Sequence, residues 1–167
     1  TLMNKFKWGN LNKPGIYLDE TVTRMAMNSR SMFGRLAEAL ILEGKTDSAR
    51  KVLDRCQEII PERVIPHDYF SVSMVGSYLK VGDTATAMKI SEQVKKTSTS
   101  ELAYYFAFPD HYLKSLDLNI QESLFTLQRL GMVLTEAGRK TEADAFEPEA
   151  RKYYDLFLQK VYEPEQR

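Results

Sequence analysis

The sequence predicts an all-α protein: a short right-handed stack of about seven helices in hairpins, preceded by an extended N-terminal arm. Three glycines, each followed five residues later by an alanine, carry this prediction: Gly44, Gly82 and Gly138. Each glycine lies between two segments whose apolar residues recur at helical spacing, and glycine readily adopts the positive φ that ends a helix. We find no alternating apolar pattern that would predict a strand.

The first hairpin is the most regular, because residues 30–63 fit the 34-residue spacing of a tetratricopeptide-like unit. Its first helix has apolar residues at i, i+3, i+4 and i+7, and its second helix has small or apolar residues on one face. These residues are Phe33, Leu36, Ala37 and Leu40, then Ala49, Leu53 and Cys56. We expect the alanines to lie where the two helices approach closely, and Pro61 to end the second helix.

The second hairpin, residues 68–96, is expected to begin with Asp68 as a helix cap and to turn at Gly82. The polar run TSTS at 97–100 then predicts a connector between helices. An insertion follows, with a short aromatic helix over 101–108 and a long helix over 110–137.

The third hairpin, residues 124–154, contains Pro148 within its second helix. A proline inside a helix removes one backbone hydrogen bond, so we expect this helix to be kinked or split. The chain therefore carries one regular repeat, one looser repeat and one interrupted repeat.

Residues 1–18 are expected to form an extended arm, and residues 19–167 the helical domain. The arm has turn signals at GN and KPG and no helical period. Trp8 follows two lysines and a phenylalanine, so it could lie at a membrane interface or pack onto the helices, and we favour packing. The adjacent carboxylates Asp19 and Glu20 are better suited to capping the first helix than to acid–base chemistry.

Composition excludes several classes of function. The 23 basic and 23 acidic residues give a formal net charge of zero, which argues against a dedicated nucleic-acid binder. No apolar run is long enough to span a bilayer, and no signal segment is evident. The single cysteine cannot form an internal disulfide, and His67 and His111 lack partners at metal-ligand spacing. We therefore predict no catalytic residue, no cofactor and no metal.

If the hairpins stack as tetratricopeptide-like units, their first helices line a concave face that holds a protein or peptide. The repeat positions that point to this face are Glu38, Ile41, Tyr69, Val72, Lys80, Gln128, Met132 and Glu136. Aromatic, methionine and mixed-charge side chains suit an extended peptide. The alternative is that the N-terminal arm or the insertion fills the groove.

Several strings resemble a known family. Residues 4–10 read NKFKWGN, residues 13–20 read KPGIYLDE, and Arg24-Met25 follows. Together with EGK at 43–45, VLD at 52–54, DYF at 68–70 and LAYY at 102–105, they resemble the C-terminal region of the DUF2723 family of bacterial membrane proteins. That family is similar to the multi-spanning protein O-mannosyltransferases that use lipid-linked sugars.

The resemblance implies a periplasmic, extracytoplasmic tail that follows a transmembrane glycosyltransferase-like body. The family's catalytic loops have no counterpart in these 167 residues, so no catalytic residue is carried over. The first expected function is a non-catalytic protein-interaction module. The alternative is a structural tail that packs on its own membrane body, and the third is an independent enzyme.

Overall fold

The computed structural model describes residue 3 and residues 5–162, and these residues contain helices and no strand. The prediction of an all-α protein is therefore confirmed. The α-helices are α1 (Glu20–Leu42), α2 (Thr46–Ile59), α3 (Val72–Lys80), α4 (Thr84–Tyr105), α5 (Asp110–Leu113), α6 (Asp117–Glu136), α7 (Lys140–Asp144) and α8 (Glu147–Phe157). None of these helices is both long enough and apolar enough to cross a membrane.

Short segments of other helical types adjoin four of these helices. A 3₁₀ turn, Tyr69–Ser71, leads into α3, and another, Lys114–Leu116, joins α5 to α6. A π-helical turn, Leu158–Tyr162, follows α8. The long helix expected over 110–137 is thus interrupted near its beginning.

The three predicted glycine turns have the same geometry. Gly44, Gly82 and Gly138 have φ values of 73°, 82° and 75°, which only glycine adopts without strain. The residue after each glycine donates a backbone hydrogen bond of 2.8–2.9 Å to the carbonyl five residues earlier, as in Lys45 to Leu40. This bond satisfies a helix-end carbonyl and reverses the chain, so the predicted turns are confirmed.

The chain divides into two compact units, Thr1–Ile90 and Ser91–Arg167, and the division falls inside α4. The first unit contains the regular hairpin, α1 and α2, followed by α3. Ala37 and Ala49 are fully buried in this unit, as expected for small residues at a close helix–helix contact. Burial of apolar side chains stabilises both hairpin helices, since most helical stability in proteins comes from the packing of an apolar face.

Trp8, in the described part of the N-terminal arm, packs onto α1. The indole of Trp8 lies 5.6 Å from the ring of Phe33 in α1, and Leu11 is buried. Asp19 then caps α1, because its Oδ1 accepts a 2.7 Å hydrogen bond from the backbone N–H of Val22. Both predictions, the packed tryptophan and the aspartate cap, are confirmed.

The second unit has its own core, formed by side chains from α4, α5, α6 and α8. Its buried members are Leu102, Leu113, Ile120, Leu127, Tyr153 and Phe157. The predicted effect of Pro148 is also confirmed: the helix is split into α7 and α8, and the proline lies in the first turn of α8. Proline is tolerated there because a first-turn N–H has no partner within the helix.

The prediction of a polar connector at 97–100 is wrong, because α4 continues through these residues to Tyr105. The same finding corrects the separate short helix expected over 101–108. The hydroxyl of Thr97 donates a 3.0 Å hydrogen bond to the carbonyl of Gln93, so this polar group stays satisfied within the helix. Val94, Ser98 and Leu102, spaced four residues apart, are buried on one face. This burial outweighs the weak helix propensity of serine and threonine.

Candidate functional site

The candidate functional site is a groove in the second unit, formed by α6, α7, α8 and the π-helical turn. It encloses about 1010 Å³, which is the size of a ligand-binding cleft. Its lining consists of Gln121, Leu124, Phe125, Leu127, Gln128, Gly131, Met132, Thr135, Glu136, Ala143, Asp144, Phe146, Glu147, Ala150, Arg151, Tyr154, Phe157 and Tyr162. We call this surface the α6–α8 groove.

One wall of the groove is a broad face of α6. Lining residues at 121, 125, 128, 132 and 135 recur at intervals of three and four, which places them on one face of the helix. Other α6 positions, including Ile120, Leu130 and Leu134, are buried in the protein. Helix α6 therefore presents a second, partly apolar face to solvent.

The opposite wall comes from α8 and the turn after it. Four large side chains of the groove remain strongly exposed: Phe125 at 52 %, Met132 at 48 %, Tyr154 at 52 % and Tyr162 at 73 %. The floor is buried and includes Phe146 and Phe157. Grouped exposed apolar side chains of this size are unusual on a protein surface unless a partner covers them.

The break between α7 and α8 positions part of the floor. Phe146 lies in that break as the residue before α8, and its ring lies 4.8 Å from the ammonium of Lys95 in α4. The same ammonium lies 3.8 Å from the carboxylate of Glu149. These two contacts fix the start of α8 against α4 within the second unit.

The charges that line the groove are mostly acidic. Glu136, Asp144 and Glu147 contribute three carboxylates, and Arg151 contributes one guanidinium. All four side chains belong to exposed residues, so their charges face solvent and are available to a partner.

The predicted partner-binding residues differ in location and in exposure. Gln128, Met132 and Glu136 lie together in the α6–α8 groove. In the first unit, Glu38 and Lys80 are exposed, and Ile41 and Tyr69 are half-buried. Val72 is only 2 % exposed and packs in the core, so its assignment to a partner surface is corrected.

The sequence prediction missed the aromatic side chains that dominate the groove. The repeat positions point only to the first helix of each hairpin, and within α6 they select Gln128, Met132 and Glu136 but not Phe125. Tyr154 and Tyr162 come from α8 and the turn that follows it. The signal that could have found Tyr154 is its spacing of four and seven from Ala150 and Glu147.

A second group of ionisable side chains lies in the core of the first unit. The buried guanidinium of Arg30 lies 3.5 Å from the carboxylate of Asp68, and Nδ1 of His67 lies 2.8 Å from Oγ of Ser71. Burial lowers the pKa of His67 from 6.5 to about 3, and the charge of Arg30 adds to this effect. Burial also raises the pKa of Asp68, although Arg30 acts in the opposite direction.

These perturbed pKa values have a structural cause, since each group is held in the packed interior. Cys56 belongs to the same core, and burial raises the pKa of its thiol to about 12. In the part of the chain that the structure describes, no group of three or more His, Cys, Asp or Glu residues could hold a metal ion.

Comparison with family models, with curated proteins and with solved structures returned no match for this chain. The DUF2723 resemblance therefore rests on the sequence strings quoted above.

Proposed function

We propose that this chain is a non-catalytic protein-interaction module, and that the α6–α8 groove is its binding surface. The observation that carries the proposal is the grouping of Phe125, Met132, Tyr154 and Tyr162 as exposed side chains around a buried apolar floor. Aromatic and methionine side chains supply large contact areas at protein interfaces, and they dominate binding energy when a partner excludes water from them.

The DUF2723 resemblance extends the proposal to the parent protein. On this proposal the module is the extracytoplasmic, periplasmic C-terminal region of a multi-spanning glycosyltransferase-like membrane protein. Its role is then to hold an acceptor protein or an assembly partner near the membrane body.

The test is a pull-down from a detergent-solubilised envelope extract of the source organism, with the full chain as bait. Met132→Glu and Tyr154→Glu place a charge on the exposed groove and should abolish capture of a specific protein. Leu118→Glu is the matched control, because Leu118 lies on the same helix α6, is 79 % exposed and does not line the groove. The purified partner should then bind the wild-type chain and Leu118→Glu directly. It should bind Met132→Glu and Tyr154→Glu much more weakly.

Equal capture by the wild-type chain and by both groove variants would contradict the proposed surface. Circular dichroism spectra that coincide for all four proteins are the necessary control for folding. They ensure that lost capture reflects the groove itself.

A second candidate function is a structural tail that packs on its own membrane body. The contact between Trp8 and Phe33 favours it, because this contact holds Trp8 of the arm against α1. Phe6 is exposed, and its ring centroid lies 4.6 Å from that of Trp8, so Phe6 would then face the membrane body. In the same pull-down, capture of the parent chain's membrane region, lost in Phe6→Glu and retained in Met132→Glu, would favour this function.

A further inference from the structure

We infer that the occupant of the α6–α8 groove is an amphipathic α-helix with apolar anchors on one face and lysine or arginine near one end. This inference rests on the proposed function and names the class of partner. Three observations support it. The backbone groups of the groove walls are already hydrogen-bonded within their helices, the exposed side chains are spaced along the groove, and the lining charges are mostly negative.

The walls favour a helical occupant over an extended one. Both walls are formed mainly by helices, whose backbone groups already bond within α6 and α8. The hydroxyl of Thr135 in the wall also donates a 2.8 Å hydrogen bond to the carbonyl of Gly131. An extended peptide would therefore bury backbone N–H and C=O groups with few partners, whereas a helix satisfies its own.

The dimensions suit a short helix. The α6 residues that line the groove run from Gln121 to Glu136, which corresponds to about 22 Å at the rise of an α-helix. A partner helix of roughly four turns spans this distance. Its apolar residues at i, i+3 or i+4, and i+7 would meet Phe125, Met132 and Tyr154.

The charge selects the kind of helix. Glu136 ends α6, and Asp144 and Glu147 lie on either side of the break between α7 and α8. Against these three carboxylates the lining has the single guanidinium of Arg151. An acidic lining attracts a cationic partner and repels an anionic membrane surface, so it favours a basic helix over a lipid headgroup layer.

The experiment is selection of a displayed library of random peptides about four helical turns long on the wild-type full chain, with counter-selection on the Met132→Glu variant. We expect enriched peptides with apolar residues at helical spacing and an excess of Lys and Arg. The best peptide, made synthetically, should bind Met132→Glu and Tyr154→Glu roughly tenfold or more weakly and Leu118→Glu unchanged. It should gain helical circular dichroism on binding.

The charge is tested separately with the triple variant Glu136→Gln, Asp144→Asn, Glu147→Gln. Its affinity for the same peptide should fall roughly tenfold, and most of the salt dependence of binding should disappear. An unchanged affinity would overturn the electrostatic part of the inference.

The outcomes separate the inference from the proposed function. Groove-dependent peptides without helical spacing, or with an acidic excess, would overturn the inference and leave the interaction module standing. No groove-dependent peptide would contradict both. Flotation with vesicles of phosphatidylcholine and phosphatidylglycerol that depends on Met132 and Tyr154 would overturn the inference in favour of a membrane surface.

Discussion

Nη2 of Arg30, in the middle of α1, donates a 2.8 Å hydrogen bond to the backbone carbonyl of Ile65 in the segment between α2 and α3. The same guanidinium donates a 2.8 Å bond to the carbonyl of Pro66 and lies 3.4 Å from that of Ile60. The Arg30 side chain is fully buried. A planar guanidinium can donate to several carbonyls at once, so this one side chain fixes the segment between α2 and α3.

Replacing Arg30 by Met should therefore lower the free energy of unfolding by about 3 kcal/mol or more, because buried carbonyls and the carboxylate of Asp68 lose their partner. Arg30→Lys should recover only part of this loss, since one ammonium cannot reproduce the fork of bonds. Urea unfolding followed by circular dichroism measures both. Arg24→Ala, an exposed arginine of the same helix, is the control and should be near neutral. A loss below about 1 kcal/mol in Arg30→Met would contradict the role assigned to it.

The buried histidine predicts acid sensitivity. Because the pKa of His67 falls from 6.5 to about 3 on folding, the unfolded chain binds more protons between these values. Stability then decreases as the pH falls through this window, by up to about 1.4 kcal/mol for each pH unit. The raised pKa of Asp68 acts in the opposite direction, since its folded form holds a proton more readily.

His67→Gln isolates the histidine, because Asp68 is present in both proteins and glutamine can still hydrogen-bond Ser71. As the pH falls below 6.5, the wild type should therefore lose stability relative to His67→Gln. The measurement is a series of urea unfolding curves at decreasing pH. Parallel stability profiles for the two proteins would show that folding does not lower the pKa of His67.

Local patterns were enough to predict much of the fold. The turns at Gly44, Gly82 and Gly138 follow from the positive φ that only glycine tolerates cheaply. The cap at Asp19 and the helix break at Pro148 likewise depend on neighbouring backbone atoms alone. These features are readable from sequence because the physics that creates them acts within a few residues.

The errors came from contacts distant in sequence. The TSTS run at 97–100 remains helical because Val94, Ser98 and Leu102 are buried together, which local propensity does not reveal. The repeat spacing predicts Val72 on a binding face, but the second hairpin departs from that spacing, and Val72 is buried. Gln128, Met132 and Glu136 were predicted on a concave face of stacked first helices, whereas in the structure they line a groove whose opposite, aromatic wall comes from α8, after the repeat is broken.

The close contact of α1 and α2 should not tolerate a charge. Ala49 is fully buried, so Ala49→Glu would place an unpaired carboxylate among apolar side chains and cost about 4 kcal/mol or more. We expect a large fall in melting temperature or an unfolded first unit. Lys51→Glu, an exposed position on the same helix, is the control and should melt close to wild type. Unchanged melting of Ala49→Glu would contradict the packing of this hairpin.

Gly34 and Ser73 should be energetically coupled. A Cβ at position 34 would lie 2.8 Å from Oγ of Ser73 but 4.0 Å from its Cβ, so only the hydroxyl obstructs it. Gly34→Ala gains about 1 kcal/mol of helix propensity, which displacement of that hydroxyl should offset in the wild-type chain. In the Ser73→Ala background the obstruction is gone, and Gly34→Ala should stabilise by about 0.5–1 kcal/mol.

A double-mutant cycle by urea unfolding measures this coupling. Gly131→Ala is the control, because a Cβ there meets no atom within 4 Å. It should therefore stabilise equally in both backgrounds. The Ser73→Ala change itself should be small, since it removes only a 3.3 Å hydrogen bond to the carbonyl of Phe70 from a half-buried site. If Gly34→Ala has the same effect in both backgrounds, then Ser73 does not set the glycine requirement, and α1 approaches the start of α3 less closely than the structure indicates.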